Sequence, residues 1–207
     1  MGNESPWLLR DGTPYARASS VSSDPRSFAR ICPVVLANKA DIGTQAHSAI
    51  HAHLLGTLVL CRQESWPYYE SWLRWYQDKR PIYLATEKRY WSPELKLTGQ
   101  IDGLITMPDS DEPVLIDYKT SSVAMPSTWC LQASLYCLLL QKHAVKCSRA
   151  VFLQLRSKKS VDALGKVTLE PRPAVEHHYK ITPDHLNQAR LRLDQWHTLN
   201  APNRLVA

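Results

Sequence analysis

Apolar residues recur at helical spacing through Ile42, Ala46, Ala49, Ile50 and Leu54, which predicts an amphipathic helix over residues 41–55 beginning near Asp41 or Thr44. Residues 66–76 also read as helix and carry Trp66, Tyr68, Tyr69, Trp72, Trp75 and Tyr76. Tyr69, Trp72 and Tyr76 share one face, so most of the cluster reads as core, with one or two exposed members available to stack on unpaired bases. The period then changes to two. Ile82, Leu84, Thr86, Lys88 and Tyr90 alternate as a strand over residues 81–91. Two apolar runs of strand length follow, 99–105 and 114–122, and the Pro- and Asp-rich segment 107–113 between them makes the pair a β-hairpin. Leu131, Leu135, Leu138 and Leu139 predict a helix over 128–142, and residues 148–156 a further strand. Ser157-Lys158-Lys159-Ser160 reads as a basic loop, free to meet phosphates or simply solvated. Pro171 and Pro173 confine the strand over 167–181 to a sheet edge. Thr182-Pro183-Asp184 starts a last helix with Leu186, Ala189, Leu193 and Trp196 inward. Residues 1–30 show no period and read as a loop with a short helix; the tail from Asn200 reads as frayed.

Composition narrows the class. With 207 residues and 44% of them hydrophobic, the chain is long enough for one domain with its own core. It has no apolar run of membrane-spanning length and no signal-peptide pattern, which predicts a soluble, intracellular protein. A net charge of +6 and a pI near 9.1 favour a polyanionic partner. Cys32, Cys61, Cys130, Cys137 and Cys147 are odd in number and include no Cys-x-x-Cys, so neither a disulfide framework nor a zinc ribbon is expected.

The hairpin holds the chemistry. Ionised carboxylates are costly inside strands unless they are paired or bound to a cation, yet Asp102 lies on one arm and Asp117 on the other. Alternation puts Asp117 and Lys119 on the same face and Tyr118 on the other. Two acids and a lysine at one place read either as a salt bridge or as a site for a hard divalent cation with a water-orienting amine.

Asp102 followed by Asp117-Tyr118-Lys119 resembles the signature of the PD-(D/E)XK nuclease superfamily, although Ile101 stands where that pattern usually has Pro. Gly43-Thr44-x-x-His47 and Gln132-x-x-x-Tyr136 stand before and after it in the order of the RecB-type and phage-type exonuclease branch, and the Ser-rich segment 18–23 resembles the start of phage-type members. The resemblance implies an α/β fold with a restriction-endonuclease-like core, a mixed central sheet flanked by helices. It implies metal ligation by His47, Asp102, Asp117 and the Tyr118 carbonyl, catalytic roles for Asp102, Asp117, Lys119 and Glu87, and substrate contact by Gln132 and Tyr136. Read without it, a lone helical histidine such as His47, His51 or His53 is an ordinary polar residue, and Glu87 pairs with Lys88 or Arg89 on the sheet surface.

The implied activity is DNA hydrolysis with Mg²⁺ or Mn²⁺, the imidazole ligand favouring Mn²⁺. The exonuclease reading is preferred, acting on single-stranded DNA or duplex ends in recombination, repair or replication. A structure-specific endonuclease and a non-catalytic DNA-binding subunit are the alternatives. The related CRISPR adaptation nucleases hold an iron-sulfur cluster on one early cysteine and three late ones, and nothing after Cys147 continues that pattern, so no cluster is expected. The chain is divided as one nuclease domain over 1–207, with an N-terminal lead-in (1–40), a catalytic core (41–156) and a C-terminal strand and helix (157–207). Lys158 and Lys159 are added as substrate contacts from their charge alone.

Overall fold

Three of the helices begin on proline and a fourth has it in second place, which fits the first turn because its missing N–H needs no partner there. In the computed structural model, residues 5–23, 31–161, 165 and 167–200 are described. Two short strands, β1 (Trp7–Arg10) and β2 (Thr13–Arg17), lead into α1 (Ala18–Ser22) and then α2 (Pro33–Leu54). The N-terminal hairpin replaces the expected loop, because Asp11 and Gly12 both take positive φ and close a tight turn. Helix α2 starts eight residues before Asp41, at Pro33. Helix α3 (Trp66–Lys79) precedes β3 (Ile82–Ser92), β4 (Leu97–Met107) and β5 (Ser110–Lys119). Then come α4 (Pro126–Lys142), β6 (Arg149–Val161), β7 (Val167–Lys180) and α5 (Pro183–Leu199), the last capped by the Thr182 side chain and His185. The tail expected to fray lies outside the described residues from 201 onward.

The seven strands form one mixed sheet in the order β1-β2-β4-β5-β6-β7, with β3 also paired to β4. This is the α/β architecture expected, and β7 is the edge strand that its prolines require. Helices cover both faces. Leu97, Ile101, Leu115, Phe152 and the α4 leucines fill one core, joined by Ala189, Leu193 and Trp196 of α5. Ala46, Ala49 and Ile50 of α2, with Tyr68, Tyr69, Trp72 and Trp75 of α3, fill the other against Ile116, Tyr118 and Leu153. The aromatic cluster is therefore mainly core, and Trp66 is its exposed member. Among the described residues no helix is long and apolar enough to cross a membrane.

The basic segment at Lys158 and Lys159 is strand rather than loop. It pairs with Glu170 and Leu169 in a two-stranded ribbon where β6 and β7 continue past their neighbours. A run of polar side chains is compatible with strand when a partner takes the backbone hydrogen bonds, and β7 supplies that partner.

Strand β4 pairs with β3 over most of its length; on its opposite edge it meets β2 at Leu97 and Thr98 and then β5 from Gly103 onward. Residues 99–102 therefore face a gap, and α4 packs over it. Gly99 permits this. A Cβ there would stand 2.5 Å from Tyr136 Cε1 and 3.0 Å from Leu139 Cδ1. Gly99→Val is accordingly expected to lower stability by about 1–3 kcal/mol, as overpacking does. A urea melt should show it as a lower midpoint at constant slope.

Candidate active site

The gap between β4 and β5 collects the charged residues. The β4–β5 ladder reaches Gly103 opposite Ile116. Beyond it, Asp102 Oδ2 accepts the Tyr118 N–H at 2.6 Å, so a side chain continues where the backbone ladder parts. Asp117 follows Ile116 on the α4 side of the sheet, 2% exposed, and Lys119 follows on the same face. Lys119 Nζ lies 2.5 Å from Asp117 Oδ2. Gln132 of α4 joins them: its Nε2 donates to Asp117 Oδ1 at 3.1 Å and its Oε1 accepts from Lys119 Nζ at 3.1 Å. Tyr136, one turn on, places its hydroxyl 3.2 Å from the same Nε2. The helical spacing of four thus delivers both side chains to one place.

From the other face, α2 brings His47. Its Nδ1 lies 3.3 Å from Asp102 Oδ1 and 3.7 Å from Glu87 Oε1. Its Nε2 lies 3.1 Å from the Tyr118 carbonyl, to which it donates when the ring is charged. His51 and His53 turn elsewhere, to Thr86 Oγ1 and to the Tyr69 hydroxyl.

Glu87 reaches the group by an unusual backbone. Its φ is +48°, in the left-handed region, which costs a residue with a Cβ about 1–2 kcal/mol. Thr86 and Lys88 remain in register with Gly103 and Ile101 on either side of it. The surface pairing with Lys88 or Arg89 does not occur; Glu87 Oε2 instead accepts from Gln100 Nε2 at 2.6 Å. Gln100 in turn accepts from Arg89 Nη2 at 2.7 Å. Sequence reasoning missed Gln100 and Arg89. The available signal was Gln100 two positions before Asp102, on the same face of its strand.

Burial opposes charge on the partly buried His47 ring, but the neighbouring Asp102 carboxylate, helped by Glu87, pushes its pKa up to about 10. Burial would raise Asp102; the imidazolium, Lys119 and the Tyr118 N–H hold it below the usual carboxylate value. For Asp117 burial prevails. It lifts the carboxyl to about 6 against the pull of Lys119, with Asp102 adding repulsion.

These donors fit a divalent cation. Ligand atoms of His47, Glu87 and Asp102 all lie within 4.8 Å of one another. Asp117 Oδ2 is buried, and apart from its ion pair with Lys119 it has no polar partner among the described residues. One imidazole nitrogen with carboxylate oxygens suits Mn²⁺ and Mg²⁺ better than a thiol-seeking metal.

The sequence profile of the PD-(D/E)XK nuclease superfamily matches residues 35–204. The chain belongs to that superfamily. PD-(D/E)XK nucleases use divalent metals, and the donor group just described is of that kind. No curated protein sequence matches the chain. Among solved structures, the alkaline exonuclease LHK-Exo from Laribacter hongkongensis is similar at 11% identity and a TM-score of 0.48, over 89% of this chain and 87% of that one. The same enzyme in complex with dAMP gives 12% and 0.45, over 88% and 86%. A protein designated SSO0001 gives 12% and 0.43, over 94% and 81%. The superfamily assignment rests on the sequence profile and not on these structural likenesses.

Proposed function

We propose that this chain is a divalent-metal-dependent deoxyribonuclease that removes nucleotides from DNA ends. The observation that carries the reading is the convergence of Asp102, Asp117, Lys119 and His47 on the gap between β4 and β5. His47, Asp102, Asp117 and the Tyr118 carbonyl, with Glu87 beside them, would hold Mg²⁺ or Mn²⁺. The cation when bound polarises a phosphate oxygen and lowers the pKa of a coordinated water.

The side chains do the rest. Lys119 presents its ammonium beside Asp117, where it orients the attacking water. Gln132 grips Asp117 and Lys119 from opposite ends of one amide and so fixes their separation. Tyr136, itself buried, holds that amide in place.

The polyanion path extends along the ribbon. Strand β6 runs parallel to β5 with Gln154 beside Lys119, and Lys158 lies four residues further, about 13 Å at ~3.3 Å per residue. Successive side chains of the ribbon point to opposite faces, so one of Lys158 and Lys159 meets phosphates flanking the cleaved one. One of Lys158→Ala and Lys159→Ala should lower the slope of log K against log salt by about 0.7–0.9 and the other leave it unchanged, measured by fluorescence anisotropy with EDTA present. An unchanged slope for both removes the ribbon from the binding surface.

The deciding experiment offers 5′- and 3′-labelled single- and double-stranded DNA, and covalently closed circles, with Mg²⁺ or Mn²⁺. Nucleotides released from linear ends, with circles intact, is the expected result. Cut circles would make the chain an endonuclease, and binding without metal-dependent cleavage would make it a non-catalytic subunit.

A further inference from the structure

We propose that Gln100 is a positioning residue for Glu87, locked in its working orientation by Arg89. The inference rests on the metal-site reading above and concerns how this chain keeps Glu87 in a backbone conformation that an acidic residue rarely adopts.

The three side chains stand on two neighbouring strands. Arg89 of β3 lies directly opposite Gln100 of β4, and Gln100 precedes Asp102 by two positions. A glutamine amide has two faces of opposite character, an acceptor oxygen and a donor NH₂. Arginine can only donate, so Arg89 Nη2 at 2.7 Å claims the oxygen and turns the NH₂ toward Glu87. The NH₂ meets Glu87 Oε2 at 2.6 Å. Glu87 Oε1 is left toward His47 Nδ1, at 3.7 Å. One carboxylate oxygen is thus held and the other is presented.

Glu87 at φ +48° can point its side chain into the site only while something over-determines it. The ladder pairs Thr86 with Gly103 and Lys88 with Ile101 and so fixes the backbone on either side, but no ladder contact fixes the carboxylate. The Gln100 amide does, and it also fixes which oxygen is free. Partners of this type, one step behind a ligand, commonly alter metal affinity by 10- to 100-fold.

The test measures Mn²⁺ affinity by calorimetry and electron paramagnetic resonance on the full chain without DNA, together with the metal-free melting temperature. Gln100→Met has nearly the same length but loses both the donor to Glu87 and the acceptor for Arg89, and it adds no charge beside the site. Its Mn²⁺ Kd should rise about 10- to 100-fold while the metal-free melting temperature stays near that of the parent. Arg89→Met frees the amide to flip and should weaken Mn²⁺ binding severalfold, which keeps the idea testable if the Gln100 variant does not fold. Cleavage by both should recover at saturating Mn²⁺.

If both variants bind Mn²⁺ as the parent does while Asp102→Ala loses it, the relay is wrong and the metal site stands. Lower melting temperature with unchanged affinity would make Gln100 merely structural and also overturn the proposal. If Asp102→Ala binds Mn²⁺ normally, the metal reading itself falls, and the relay with it.

Discussion

Lys119→Met is expected to leave the protein folded and bound to DNA while cleavage falls by about 10²- to 10⁴-fold, the range over which a positioned proton-transfer or water-orienting group acts. Methionine retains most of the lysine stem; the ammonium it removes also lies over the Phe152 ring, 5.1 Å from its centroid. What goes is the ammonium 2.5 Å from Asp117 Oδ2. Its loss has two effects on the same place. The attacking water is no longer oriented, and Asp117 loses the cation that opposes the effect of burial, so its pKa rises above about 6. DNA affinity in EDTA should be little changed, because the ribbon lysines are untouched. Cleavage within tenfold of the parent, at saturating Mn²⁺ and equal protein, would exclude Lys119 from the chemistry.

Removing the charge of Asp102 should abolish the stabilisation that Mn²⁺ gives. A cation bound only by the folded state at 100 times its Kd adds about 2.7 kcal/mol, a clear rise in melting temperature. Two substitutions separate the roles of this carboxylate. Asp102→Ala also leaves the buried Tyr118 N–H without its 2.6 Å acceptor, at a cost of about 1–3 kcal/mol to the metal-free protein. Asp102→Asn keeps an oxygen for that N–H and should melt closer to the parent without metal. Neither should shift upward when Mn²⁺ is added. A full Mn²⁺ shift in Asp102→Asn would show that the cation does not bind at this gap.

The two faces of the sheet explain why the candidate site needs long-range assembly. His47 arrives on α2 from one side and Gln132 on α4 from the other, and they meet only because β4 and β5 separate at Gly103 and Ile116. A continued ladder would have paired Asp102 with Asp117 backbone to backbone and closed the gap. Gly99 serves the same end by letting Tyr136 lie on the strand.

Much of this was legible because the local rules were broken at particular residues. Aspartates inside apolar strands are costly, so Asp102 and Asp117 stood out against Ile101 and Ile116, and alternation placed Lys119 with Asp117. Helical spacing paired Gln132 with Tyr136 and assigned the aromatics of α3 to the core. Other features had no such mark. Glu87 takes a backbone that glycine would have announced, and an acid at that position announces nothing. Lys158 and Lys159 resemble a solvated loop because their strand character comes from β7 alone.

By itself the chain determined most of its elements, their α/β order, the superfamily motif and the few side chains whose placement defies solvation, since period and desolvation cost act over a few residues. Only the tertiary structure decided where the strands part, which amide bridges Asp117 to Lys119, and that Arg89 and Gln100 stand behind Glu87. Those contacts join positions 11 to 15 residues apart or more, and they depend on strand register, helix docking and one left-handed φ, none of which short-range periodicity encodes.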